Sequence, residues 1–182
     1  MAFAYLFLIS LILLPISPLL AFNPSLFPCP LFFVTLFTVL LSHANIFHLL
    51  GNYIFAAPYA LYVEHKVGSK NFLRLFFYGG IAASLWQTIF FLSIGPSILI
   101  GSSGGMSALA GAACMLVDGK PIVRVVGKVV FACLLGIQLY SVLFGLLDHT
   151  AYMAHIGGLV TGALLSYHLP HPPTPDHSKK NS

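Results

Sequence analysis

Ser103 stands in Ile100-Gly101-Ser102-Ser103-Gly104-Gly105-Met106-Ser107, a small polar island inside a strongly apolar chain. A serine between glycines, where an apolar loop turns into a helix, presents its hydroxyl beside backbone N–H groups that no helical carbonyl has claimed. Such groups can bind an oxyanion, so the island has the makings of a nucleophile's setting. Taken alone, it fits better the commoner use of small residues, which is to let membrane helices pack closely. Partners elsewhere decide between the two uses. His155 opens the run Ala154-His155-Ile156-Gly157-Gly158. By itself it suits a helix end at the membrane interface. Beside Ser103, a neutral imidazole takes the hydroxyl proton and returns it to a leaving amine, as an unactivated serine requires to attack an amide. His48 and Asn52 are four positions apart and share a helix face, and both carry N–H donors that are costly to leave facing lipid. Asp148, seven residues before His155, reads as a solvated loop charge and supplies no third member. The pattern is a Ser–His dyad.

The elements that must bring these residues together are membrane helices. With 58% hydrophobic and 7% charged residues and a mean hydropathy of +0.94, the chain cannot make a soluble surface. Its 182 residues hold five or six spans of about 20 residues each and one compact helical domain. Cys29, Cys114 and Cys133 form an odd set without metal-ligand spacing and read as small buried fillers. No metal or cofactor is expected.

The first span is Met1 to Leu20, which lacks the basic start of a signal peptide and is read as retained. After the proline-rich break Asn23 to Pro30, Leu31 to Leu41 is apolar but too short to span, and lies in the interface or folds back. Ile46 to Val63 is the second span, closed by the turn Glu64 to Lys70, and Phe72 to about Ile94 is the third. Gly95 and Pro96 end it. The fourth helix, Ser103 to about Val117, is short for a span, so the apolar loop Gly95 to Ser102 must dip into the membrane and place Ser103 below the surface beside water. A fifth span runs to about Leu147 and a sixth from Ala151 to His168, giving a membrane domain over 1–169 and a disordered cytoplasmic tail over 170–182.

All eight Lys and Arg fall in three places, Lys66 to Arg74, Lys120 to Lys128, and Lys179 with Lys180, which six spans put on one side. By the positive-inside rule that side is cytoplasmic, with both termini. The net charge of +4 thus reflects topology and lipid contact, without nucleic acid. Spans two, four and six all run from outside to inside. His48 with Asn52, Ser103, and His155 therefore lie in the first turns of their helices at one membrane face.

At these residues the chain resembles the rhomboid intramembrane serine proteases, in four motifs that occur in order between about Thr38 and Gly162: His43-x4-His48-x3-Asn52, Val63-Glu64-x-Lys66-x-Gly68-Ser69, Gly101-Ser102-Ser103-Gly104, and Ala154-His155-Ile156-Gly157-Gly158 with Gly162 beyond. The resemblance implies a compact all-α bundle of six transmembrane helices and cleavage of transmembrane segments near the extracytoplasmic face. It implies Ser103 as nucleophile and His155 as general base. His48 and Asn52, with the Ser103 backbone N–H, would form the oxyanion hole, and His43 and Gly101 would support the site. Glu64 would tie down a cytoplasmic turn, while Gly158 and Gly162 would let the sixth span press on the fourth. The expected location is a bacterial inner or plasma membrane, and the expected partners are transmembrane protein substrates and lipid. Substrates that unwind easily, through Gly, Pro or polar residues near the outer boundary, are expected to be cut after a small residue.

Two departures from the pattern of many rhomboids occur: Val34-Thr35 replaces a Trp-Arg pair in the first loop, and Ser107 stands where an aromatic ring packs on the catalytic histidine. At i and i+4, Ser107 shares a face with Ser103, from which it could bond His155 or a water. The rival readings are a non-catalytic rhomboid-like protein that binds membrane clients and a specialised rhomboid that trims C-terminal sorting tags. Gly101-x-Ser103-x-Gly105 also matches the nucleophile elbow of α/β-hydrolases, but no strand precedes it. A metal site built on His43, His48 and His155 finds no HExxH and no intramembrane carboxylate.

Overall fold

A computed structural model describes residues 1–94, 98–144 and 151–169. In chain order its α-helices are α1 (Ala2–Leu13), α2 (Ser17–Leu20), α3 (Pro30–Thr38), α4 (Ile46–Ile94), α5 (Ser103–Met115), α6 (Pro121–Leu143) and α7 (Tyr152–Ser166). Short 3₁₀ turns join α1 to α2 and extend α3 to Leu41. Proline opens α3 and α6 at the first turn, where its missing N–H costs nothing. Residues 95–97, residues 145–150 with Asp148, and residues 170–182, on which the expected tail falls, lie outside the described residues.

The chain is an all-α polytopic bundle, as its apolar content dictates: inside hydrocarbon every backbone polar group must be paired, and a helix does so within itself. Ala2–Leu20, the long α4 and Pro121–Leu143 are each long and apolar enough to cross a membrane. Helix α4 is two arms, 46–67 and 69–94, because Gly68 (φ 77°, ψ 159°) breaks the helical path. The expected turn of Glu64 to Lys70 thus shrinks to one residue, whose left-handed backbone suits glycine, and helix continues on both sides of it. With α5 and α7, the arms of α4 complete six transmembrane elements.

The turn end is tied by polar contacts. The Glu64 carboxylate accepts the Ser69 hydroxyl at 2.6 Å, the Phe3 N–H at 3.1 Å and the Ala2 N–H, so it caps the start of α1 from another helix. Lys66 pairs with Asp118, joining the first arm of α4 to the chain after α5. The core lies along α5, which packs between α4 and α7 and buries Met106, Ala108, Leu109 and Ala112. Outward faces are apolar as well: Ile122, Val125, Val126, Val129 and Phe144 are exposed, and α6 buries only Gly127 and Ser141. Such a surface belongs in lipid.

Two expectations are corrected. Cys29 and Cys133 are exposed on the bundle surface and Cys114 is half-buried, so none is an interior filler. A thiol tolerates hydrocarbon, and a lipid-facing position is as apolar as a buried one. Helix α5 ends at Met115, two residues before the expected Val117, and its 13 residues rise only about 20 Å.

The stretch leading into α5 is held by main-chain pairing. There Leu99 exchanges two backbone hydrogen bonds of 2.9 Å with Phe22, in the segment that follows α2. Phe22 is fully buried and meets the Phe32 ring of α3 edge-on at a centroid distance of 5.1 Å. The approach to Ser103 is thereby fastened to the chain's first quarter.

Candidate active site

Ser103 is the first residue of α5, and only Met106 N–H reaches back to the Ser102 carbonyl, at 3.0 Å. The N–H groups of Ser103, Gly104 and Gly105 therefore have no intrahelical acceptor. From the first turn of α7, His155 Nε2 stands 3.0 Å from Ser103 Oγ. Two glycines of α7 permit that approach. A Cβ on Gly158 would overlap the Gly104 carbonyl oxygen, and one on Gly162 would overlap the Ala108 carbonyl. Both positions must lack a side chain for α5 and α7 to lie this close.

Beside the pair lies a cavity of about 370 Å³ whose lining includes Ser103, His155, His48, Asn52 and Gly101. Gly101 has φ 130°, a conformation that residues with a side chain rarely adopt. A Cβ there would stand 2.9 Å from His48 Cε1, 3.1 Å from His48 Nε2 and 3.7 Å from Asn52 Nδ2. His48 Nδ1 accepts the Ala44 N–H at 3.4 Å, so the proton is on Nε2, the edge toward Gly101. Asn52 Nδ2 is buried, with no acceptor among the described residues. Two N–H donors thus face the space over Gly101.

His43 is fully buried outside the cavity, and its Nε2 stands 3.0 Å from the Ser102 hydroxyl. Its backbone N–H donates to Ser17 Oγ at 2.9 Å, so it joins the end of the first span to the residue preceding Ser103. Burial, and then the nearby His48, lower the pKa of its imidazole to about 4, which keeps it neutral near pH 7. Glu64 is at the Gly68 end, on the first arm of α4 that begins near His48, and belongs to the scaffold.

The two departures also find places. Thr35 is buried with its hydroxyl on the Phe32 carbonyl at 3.0 Å, while Val34 faces outward. Ser107 packs where Gly158 crosses α5, and the ring nitrogens of His155 meet Ser103 and Gln138. An aromatic neighbour comes instead from His155's own helix: Tyr152 lies edge-on to it at a centroid distance of 6.4 Å.

Two residues escaped sequence reasoning. Gln87, buried on the second arm of α4, accepts the Ala154 N–H at 2.9 Å and so fixes the start of α7. Gln138 on α6 places Oε1 3.2 Å from His155 Nδ1. They are the chain's only glutamines, both within apolar helices. A primary amide facing lipid is costly, and that was the available signal.

Fold and site together define a polytopic helical membrane protein with a serine hydrogen-bonded to a histidine at one end of the bundle. The Rhomboid domain family model matches residues 32–171, and the chain belongs to the rhomboid family. It is 31% identical over 137 residues to Rhomboid-like protease 3 of Toxoplasma gondii, an alignment covering 72% of this chain and 50% of that protein. It is 26% identical over 132 residues to RHOMBOID-like protein 1 of Arabidopsis thaliana, covering 72% of this chain and 33% of that protein. The chain thus spans about half the length of the first relative and a third of the second.

Proposed function

We propose that the protein is an intramembrane serine endopeptidase that cuts transmembrane segments with Ser103 as nucleophile and His155 as base. The observation that carries this reading is the 3.0 Å contact between Ser103 Oγ and His155 Nε2, beside a cavity into which His48 and Asn52 point N–H donors. In the first half-reaction His155 Nε2 takes the hydroxyl proton as Oγ attacks the scissile carbonyl. Three donors would bind the oxyanion that forms: the Ser103 backbone N–H, His48 Nε2–H and Asn52 Nδ2–H. Collapse breaks the C–N bond, the imidazolium returns its proton to the amine, and an acyl-serine remains. In the second half-reaction water attacks that ester while His155 takes its proton, and as the C–Oγ bond breaks the imidazolium returns that proton to Ser103 Oγ, freeing the serine and a carboxylic acid product.

The substrate must be unwound where it is cut, because a helical backbone is enclosed in its own hydrogen bonds and side chains. Single-span proteins with Gly, Pro or polar residues near the boundary at the site's end of the bundle fit best. The confined approach over Gly101 favours a small residue before the scissile bond. The clustering of Lys and Arg toward the Gly68 end supports an extracytoplasmic site, by the positive-inside rule.

A fluorophosphonate probe tests the reading without a known substrate. In native membranes it should label the protein at Ser103, and Ser103→Ala and His155→Ala should each abolish labelling. Mass spectrometry of proteins shed by cells carrying the wild type, and not Ser103→Ala, should then find cuts near the outer boundary. Absence of labelling in folded wild-type protein would favour a client-binding role without catalysis.

A further inference from the structure

We propose that Gln138 is a positioning residue for His155, so that the site operates as a Ser103–His155–Gln138 relay whose third member is a neutral amide. This rests on the proteolytic reading of Ser103 and His155 above. Gln138 Oε1 has only lone pairs to offer, so its 3.2 Å approach to Nδ1 requires that nitrogen to carry the proton. The Nε2 lone pair is then the one that faces Ser103 Oγ at 3.0 Å, which is the tautomer a general base needs. The cavity lining includes His155 but not Gln138, so the amide acts on the reaction through the imidazole.

Its helix makes the contact telling. Helix α6 buries only Gly127 and Ser141, and the Ser141 hydroxyl is satisfied within the helix by the Ile137 carbonyl at 3.0 Å. Gln138 is half-buried between those lipid-facing surfaces and reaches across to α7, where an apolar residue would have met hydrocarbon at no cost. When His155 accepts the serine proton, the Nδ1–H to Oε1 bond becomes charge-assisted and steadies the imidazolium. The amide carries no charge of its own, so the gain is smaller than a carboxylate would give.

The titratable groups facing His155 among the described residues are Tyr152 on α7 and, across the cavity, His48 on α4. Helix α5 presents Ser103, and the charged residues of α6, Arg124 and Lys128, lie ten or more positions before Gln138.

The test compares wild type, Gln138→Leu and Gln138→Glu by rate of fluorophosphonate labelling from pH 5 to 9, and by ¹⁵N NMR titration of the His155 ring in micelles. Loss of a hydrogen bond to a charged group predicts labelling about 10- to 100-fold slower at neutral pH in Gln138→Leu, with the acid-side inflection about one unit lower. Gln138→Glu keeps the acceptor and adds charge, so its inflection should move up. A purely structural role would shift neither inflection. If both variants keep the wild-type profile and ring titration, the inference falls. Should Gln138→Leu fail to fold, the upward shift in Gln138→Glu decides alone. Failure of wild-type labelling at Ser103 would instead overturn the proteolytic reading, and the ring titration would still report on Gln138.

Discussion

Gly101→Ala attacks the oxyanion side of the site without touching the serine or its base. The added methyl would lie 2.9 Å from His48 Cε1 and 3.1 Å from Nε2, against about 3.5 Å or more for unstrained contacts, so the imidazole must yield by about half an ångström. It would also hold alanine at φ 130°, which costs about 1–3 kcal/mol. A displaced or blocked donor costs about 3–4 kcal/mol in the transition state, or about 10²- to 10³-fold in rate. Fluorophosphonate labelling should slow by that factor, since the phosphonyl oxygen uses the same donors. Gly51→Ala is the control, because a methyl there, inside α4, meets nothing within 4 Å and should leave the rate unchanged. A melting profile of Gly101→Ala in detergent separates strain from misfolding. Labelling of Gly101→Ala within about threefold of wild type, with the fold intact, would refute the assignment of this space to the oxyanion.

Asn52→Ala removes one donor of three and should be about 10- to 1000-fold slower; undiminished labelling would remove Asn52 from the oxyanion hole. Gly162→Val should lower thermal stability by about 1–3 kcal/mol or more and slow labelling, because α7 must back away from the Ala108 carbonyl; an unchanged melt would contradict the close crossing. The pKa of His43 is lowered on folding from 6.5 to about 4, so its contribution to stability is full above 6.5 and is lost as pH falls toward 4. Melts between pH 7 and 4 should therefore fall in wild type and flatten in His43→Gln, and equal slopes would exclude His43 as the sensitive group. A cysteine placed at Asp148 should react with an impermeant reagent from the extracytoplasmic side only; reaction from the cytoplasmic side would invert the proposed orientation.

Much of this was legible because lipid makes polarity conspicuous. Ser103, His155, His48 and Asn52 stood out as polar residues in apolar helices, and counting spans was enough to bring them to one face. Elsewhere the same solvent erased the signal. Cys29 and Cys133 could not be assigned to the surface from sequence, since hydrocarbon and protein interior ask for similar side chains. The pairing of Phe22 with Leu99 uses backbone groups alone, which any residue supplies, so no side-chain pattern announces it. Gln138 and Gln87 belong to no recognised spacing, and only their cost in an apolar helix could have drawn attention to them.

The crossing of α5 and α7 has a consequence for how such a sequence can change. At Gly158 and Gly162 one main chain rests on the other, with no side chain between them whose size or rotamer could adjust the gap. The separation of the two helix backbones that carry Ser103 and His155 is therefore set by main-chain contact, and side chains such as Gln138 are left to orient the imidazole. Residues on the lipid side of α6 can drift with membrane thickness and lipid composition without disturbing that separation. In such a chain the positions least free to change include residues that have no side chain at all.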